Sequence, residues 1–335
     1  METIAFLQPL SEEMRRVVES TVPDGFRITS ATSTTPDHLY RLIGNAAYAV
    51  VWDIAVDGMV LQAGQRLKLL HKWGVGVDNL DLDAARSLGI TVARTTGSNA
   101  VPVAEFTIGT MLALTRKLLD ANAGMQQGRW LKNDIWRQSI TLAYQTVGIV
   151  GLGAIGTEVA KRLAAFGCRI LYYKPNRLAD AAERALGVEY AALPDLLRLA
   201  DIVTLHCPLT TATRGLIGPD EFTAMKEGAI LINAARGGVV SERDLVRALK
   251  EGHIRGAAVD VFDTEPIGAD HPLIGLPNVL LTPHCAATTF DNSRKGIARV
   301  MDNIARFARG EQIQASDIVV PPPAARDAGL RSADA

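Results

Sequence analysis

Short β-branched and aliphatic runs alternate with amphipathic stretches along nearly the whole chain. Towards the front, TIAFL (3–7), GFRITS (25–30), AAYAVV (46–51), LKLL (67–70) and ITVA (90–93) predict strands, with SEEMRRVVES (11–20) and DLDAARSLG (81–89) as helices between them. A second series begins at Thr146: TVGIVG, RILYY, GVEY, DIVTLH, GAILINAA, IRGAAVD and NVLLTPH predict strands. SERDLVRALKEGH predicts a helix opened by Ser241 and Asp244 in a capping-box-like pattern. Alternation of this kind builds parallel sheets covered by helices. The expected class is therefore α/β, with two Rossmann-like domains built on parallel, doubly wound sheets.

Two helical stretches stand apart. In NAVPVAEFTIGTMLALTRKLLDANAG (99–124), Asn99 is placed to cap and Pro102 falls in the first turn. Apolar residues then continue with little polar interruption, and a helix apolar on most faces is covered by more than one neighbour. It predicts an inter-domain helix that also packs on a second subunit. DNSRKGIARVMDNIARFARG (291–310) is amphipathic and would carry the chain back to the first domain. PPPAARDAGLRSADA (321–335) reads as a disordered tail.

Composition narrows the function classes. The 335 residues accommodate two domains, and a net charge of −1 gives no reason to expect nucleic acid or an anionic membrane as partner. No apolar run is long enough to span a bilayer, and the N-terminal stretch lacks the pattern of a secretory signal. Cys168, Cys207 and Cys285 are an odd number, far apart, and read as free thiols in a reducing cytoplasm, with no metal site expected.

Gly151-Leu152-Gly153-Ala154-Ile155-Gly156 follows a predicted strand and opens a predicted helix, the context in which G-x-G-x-x-G holds a dinucleotide pyrophosphate. The carboxylate that grips an NAD ribose belongs at the end of the next strand. Lys174 stands there instead, with Arg177 beyond it. A carboxylate would repel a 2′-phosphate and these cations attract one, so NADP(H) is expected over NAD(H).

Three segments at later strand ends carry further chemistry: Arg236 in INAARGGVV, Glu265 in AVDVFDTEP and His284 in LTPHCAATT. A hydride carrier needs a proton carrier, which histidine provides near neutral pH, and a neighbouring carboxylate orients the ring and favours its charged form. Arginine holds a carboxylate at two points.

These segments, with GVGVDNLD (74–81), GSNAVPVAEFTIGTMLAL (97–114), GLGAIGTEVAKRLAAFG (151–167) and HCPLT (206–210), resemble the D-isomer-specific 2-hydroxyacid dehydrogenases over residues 40 to 310. The resemblance implies a substrate domain made from both chain ends: residues 1–98, completed by a return helix in 286–320, around a nucleotide-binding domain at 99–285. It also implies a homodimer through the helix near 101–120. It makes Arg236 the substrate-binding arginine, Glu265 the acid behind the histidine, and His284 the proton donor. Asp260 would receive the nicotinamide amide. Val75 and Gly76 would offer backbone donors to the substrate carboxylate, with Lys72 and Trp73 shaping the distal pocket. Thr107 would lie near the nicotinamide and Cys207 and Pro208 on the adenosine side. His206, Thr213, Ala234, Ala235 and Ala286 complete the expected cofactor shell. The implied activity is reduction of a small 2-oxo acid, of glyoxylate or hydroxypyruvate type. The alternatives are D-3-phosphoglycerate dehydrogenase activity or a non-catalytic nucleotide sensor like the C-terminal-binding-protein corepressors. Glu265 argues against formate dehydrogenases, which carry glutamine there.

Overall fold

The computed structural model describes residues 1–323, so most of the predicted tail lies outside the described residues. The chain forms two compact units, Met1–Ser98 with the chain from Thr289 onward, and Asn99–Thr288.

The first unit begins with β1 (Glu2–Phe6), α1 (Glu12–Glu19), β2 (Phe26–Ser30), α2 (Pro36–Gly44), β3 (Tyr48–Val51), α3 (Gly58–Ala63), β4 (Leu69–Lys72), α4 (Leu82–Leu88) and β5 (Thr91–Ala93). Ser11, Asp57 and Asp81 each accept a backbone N–H in the first turn of the helix that follows, which is why α1, α3 and α4 start where they do.

The second unit opens with α5 (Ala100–Thr115), α6 (Leu118–Gln126) and α7 (Lys132–Gln138). It continues through β6 (Thr146–Val150), α8 (Ala154–Ala164), β7 (Arg169–Tyr173), α9 (Asp180–Leu186), β8 (Glu189–Tyr190), α10 (Leu193–Leu199) and β9 (Ile202–Leu205). Then come α11 (Pro219–Ala224), β10 (Ala229–Asn233), α12 (Glu242–Lys250), β11 (Ile254–Val259) and β12 (Val279–Leu281). Its seven strands run in the order β12-β11-β10-β9-β6-β7-β8, all parallel, and the order reverses between β6 and β9. In such sheets ligands bind beyond the C-terminal strand ends at that reversal. Strands β9 and β10 are buried along their whole length, as a sheet covered on both faces requires.

The chain then returns to the first unit as α13 (Phe290–Ala308) and β13 (Ile318–Val320). That unit's sheet has the order β13-β5-β4-β3-β1-β2, and β13 is its antiparallel edge.

Three expectations change. The long apolar helix is broken: Lys117 adopts φ 53, ending α5 and starting α6. Ser241 does sit at the N-cap of α12, but its hydroxyl bonds the Asp244 carboxylate at 2.5 Å and caps no backbone amide. Strand β13 lies in the stretch read only as a return helix. No helix among the described residues is long and apolar enough to cross a membrane.

Candidate active site

The glycine turn joins β6 to α8 at the sheet's reversal point. Gly151 has φ 99, and a Cβ there would lie 2.6 Å from the Cys207 nitrogen. A Cβ on Gly156 would lie 2.2 Å from the Gly151 carbonyl oxygen. Both positions exclude any side chain because backbone occupies the space. Gly153 differs: a Cβ there meets nothing within 4 Å, and this glycine caps α8 without a side chain bonding the helix amides. Leu152 is buried beneath the turn, Ala154 is exposed and Ile155 half-buried. An open backbone at a helix start fits the pyrophosphate of a dinucleotide. His206, beside the turn, bonds Thr204 through Nε2 at 2.9 Å, while its buried Nδ1 has no partner among the described residues. Burial pushes its pKa down to about 3, so the ring is neutral. Such an orphaned polar atom is one that a bound group can satisfy.

Around this turn, Cys207 is half-buried and burial pushes its thiol up to about 11, which keeps it protonated. Thr213 donates to the Pro208 carbonyl at 2.6 Å and accepts from the Thr210 amide at 2.7 Å, folding the loop after β9. Ala234 and Ala286 are buried in one apolar cluster with Val103, against which Ile155 packs. Ala235 joins the main core instead.

Lys174 follows the last residue of β7 and forms no ion pair among the described residues. Arg177 does not share that freedom. Its Nε and Nη2 both reach Glu183 at 2.8 Å, and its guanidinium lies over the Tyr190 ring. The expectation that Arg177 meets a 2′-phosphate is corrected: its fork is committed to a carboxylate of α9.

The reacting groups converge on the loops after β10, β11 and β12. His284 Nδ1 lies 2.7 Å from Glu265 Oε2, leaving Nε2 to face outward; Glu265 Oε1 accepts from the Phe262 amide at 2.9 Å. The Glu265 hydrogen bond raises the His284 pKa above the usual histidine value, against burial and the charge of Arg236. Burial pushes Glu265 up, but the bonds from His284 and the Phe262 amide, with the nearby positive charges, hold it below its usual value. Arg236 itself donates to the Ala235 carbonyl at 2.7 Å, while Asn233 grips the Arg236 carbonyl at 3.1 Å.

Asp260 is engaged by the loop that follows β12. Its carboxylate is 1% exposed and accepts from Thr282 Oγ1 at 2.6 Å and from the amides of Cys285 and Ala286 at 2.9 Å. It therefore shapes the histidine loop, where His284 is held at φ 49. Thr107 is likewise internal: fully buried, its hydroxyl bonds back to the Val103 carbonyl at 2.8 Å.

Sequence reasoning missed the brace behind these loops. Gly237 abuts Phe262, the Gly238 amide donates to Asp263 Oδ1 at 2.6 Å, and the Asp263 amide donates to Glu242 Oε1 at 2.8 Å. Glu242 Oε2 lies 3.1 Å from His271 Nε2. Only a glycine pair beside Arg236 and an extra acid before Glu265 hinted at it.

In the first unit, the amides of Val75 and Gly76 donate to no group among the described residues. Lys72 is not available to a ligand: it is 9% exposed, and its ammonium donates to the Trp52 carbonyl and, at 2.8 Å, to Asn79 Oδ1. Trp73 packs edge-on against Trp52 at 5.5 Å and covers Gly296 of α13, a core position. Both expected pocket residues are thus part of the unit's own framework.

Residues 108–286, more than half of the chain, match the family model described as the D-isomer specific 2-hydroxyacid dehydrogenase, NAD binding domain. The chain belongs to this family. As a 2-hydroxyacid dehydrogenase family member, it is 40% identical to a glyoxylate reductase of Korarchaeum cryptofilum over 260 residues, 76% of this chain and 77% of that one. It is 37% identical to a D-3-phosphoglycerate dehydrogenase of Archaeoglobus fulgidus over 304 residues, 90% of this chain; the match spans only 56% of that protein's length. Among solved structures, an NAD-dependent formate dehydrogenase from Staphylococcus aureus in complex with NAD superposes with a TM-score of 0.84 at 28% identity, covering 96% of this chain and all of that one.

Proposed function

We propose that the chain reduces a small 2-oxo acid to its D-2-hydroxy acid, with the second unit binding the nucleotide and the first the substrate. The observation that carries this reading is the His284–Glu265 pair at 2.7 Å with Arg236 close enough to bias both titrations. Bound nicotinamide would supply a hydride to the substrate's C2. His284, kept protonated near neutrality by Glu265, donates its outward proton to the oxygen that gains charge as the carbonyl is reduced. Arg236 stabilises that oxygen, and an arginine in such a role acts most strongly where water is excluded. Val75 and Gly76 amides hold the substrate carboxylate.

For the cofactor, Lys174 supports NADP(H) over NAD(H). One charge-assisted bond to a 2′-phosphate is worth about 1.5–3 kcal/mol. For the substrate, the commitment of Lys72 favours a glyoxylate- or hydroxypyruvate-type acid over phosphoglycerate, because a second anion finds no free ammonium there. We further propose a homodimer through the helical stretch near residues 101–120, extended along α6 and α7. Leu118, Leu119, Met125, Trp130 and Trp136, on α6 and α7 and the turn between them, are each more than half exposed, apolar side chains of the kind a partner subunit covers. The unpaired cysteines fit a cytoplasmic protein.

The test is a panel of glyoxylate, hydroxypyruvate, 3-phosphohydroxypyruvate, formate and phosphite, each with both nucleotides in the matching redox state. Turnover of the first two, faster with NADPH, is expected. Preference for the phosphorylated acid rejects the substrate choice, and cofactor binding without any turnover favours a sensor.

A further inference from the structure

The loop carrying Val75 and Gly76 rests on a buried polar network centred on Asp317. This carboxylate is fully buried. It accepts from Arg299 Nε at 2.9 Å and Nη2 at 2.8 Å, from the Thr96 amide at 2.9 Å and from Asn303 Nδ2 at 3.2 Å. Asn303 Nδ2 also lies 3.0 Å from Nε2 of buried His71. The Asp317 carbonyl accepts from the Arg94 amide at 2.8 Å, and Thr96 Oγ1 donates to the Ser316 carbonyl at 2.5 Å. The returning segment thus fixes the loop after β5 through both backbone and side chains.

That loop in turn grips the one after β4. The Thr95 amide donates to the Gly74 carbonyl at 3.0 Å, and the Gly74 amide donates to Thr95 Oγ1 at 3.2 Å. Arg94 completes the grip: Nε donates to Thr96 Oγ1 at 3.1 Å and Nη1 to the Val75 carbonyl at 3.2 Å. The Val75–Gly76 peptide is trans, so its carbonyl and the Gly76 N–H point in opposite directions. A guanidinium on the carbonyl therefore aims the N–H away from itself. It also draws electron density through the amide, which strengthens the N–H as a donor.

We infer that Arg94 is a positioning residue for the substrate carboxylate, acting through the Val75–Gly76 peptide, and that Asp317 sets the loop from which Arg94 acts. The inference rests on the proposal that those amides bind the carboxylate. No ligand contact is assigned to Arg94 itself. A single mobile arginine would not do this work; one tethered at its backbone by Asp317 and at Nε by Thr96 presents one nitrogen to one carbonyl.

The test compares wild type, Arg94→Met, Arg94→Lys and Asp317→Asn in steady-state reduction of the best 2-oxo acid, with oxalate as a competing dianion and NADPH affinity measured separately. Arg94→Met should raise KM and the oxalate inhibition constant together by about tenfold, the size of one charge-assisted hydrogen bond, with kcat and NADPH affinity near wild type. Arg94→Lys should recover part of that loss, and Asp317→Asn should move KM in the same direction by less. Unchanged KM and oxalate inhibition in a folded Arg94→Met or Arg94→Lys protein overturns the inference while leaving the proposed activity standing. Loss spread equally over kcat, KM and NADPH affinity, with a lower melting temperature, also overturns it, since that marks a merely structural arginine. A wild type that neither reduces a 2-oxo acid nor binds oxalate removes the underlying reading, and the inference falls with it.

Discussion

Gly237→Ala puts the joint between two active-site loops under a defined load. A Cβ at this position would lie 1.9 Å from the Phe262 carbonyl oxygen, 2.2 Å from its carbon and 2.8 Å from the Asp263 nitrogen. All three are backbone atoms, so no side chain can swing away. Real Cβ atoms do not approach closer than 3.0 Å, so the two loops must separate by more than 1 Å. One of those loops carries Arg236 at the adjacent position and the other carries Glu265, which holds His284. Overpacking of this kind costs about 1–3 kcal/mol of stability. The larger effect falls on catalysis, because a displacement of about 1 Å in a reacting group costs about 100-fold in rate, or about 2.7 kcal/mol. We expect kcat/KM of Gly237→Ala to fall by that factor while circular dichroism still reports a folded protein. NADPH affinity should fall by much less than kcat/KM, because the glycine turn proposed to hold the pyrophosphate lies on a different loop. A folded variant with kcat/KM within about threefold of wild type, less than 1 kcal/mol, would falsify the reasoning.

Four further outcomes are expected. Gly153→Ala should leave the melting temperature unchanged, because its Cβ meets nothing, yet weaken NADPH binding if backbone approach to the pyrophosphate matters; unaltered affinity counts against that role. His284→Ala should lose most turnover while still quenching or shifting NADPH fluorescence on binding, and near-normal kcat would remove it as the proton donor. Glu265→Gln removes the partner that raises the His284 pKa, so His284 loses its proton at lower pH and the alkaline limb of reductive kcat should move downward; a stationary limb argues that another group titrates. Lys174→Asp should reverse or erode the preference for NADPH, read from the ratio of the two dissociation constants, and an unchanged ratio excludes Lys174 as its source.

Every strand but β13 was legible because each is a short apolar run bounded by turn residues, and the glycine turn because its motif carries its own context. His284, Glu265 and Arg236 were legible as chemistry, and the structure brings their loops together. What could not be read were commitments made across long stretches of chain. Nothing local to Lys72 announces the Trp52 carbonyl and Asn79 that hold it, nor does the sequence around Arg177 reveal that Glu183 takes up its guanidinium. Asp260 was assigned a role only through the family resemblance, and its three bonds to the histidine loop were hidden because they depend on residues more than twenty positions away. The break at Lys117 was hidden because the apolar pattern continues unbroken on either side of a residue that merely changes its backbone angles.

The antiparallel strand β13 has a consequence for how the molecule assembles. The second unit is one continuous stretch, so all seven of its strands can pair as soon as that stretch leaves the ribosome. The first unit cannot do the same. Val92 and Ala93 wait for Val320 and Ile318, so β5 keeps a bare edge during synthesis of the entire intervening unit. An exposed edge is a template for joining another chain, and the hazard lasts for as long as translation takes to supply the missing strand. Maturation should therefore proceed from the middle outwards, with the nascent N-terminal strands held in an unfinished state after the later-made centre is complete.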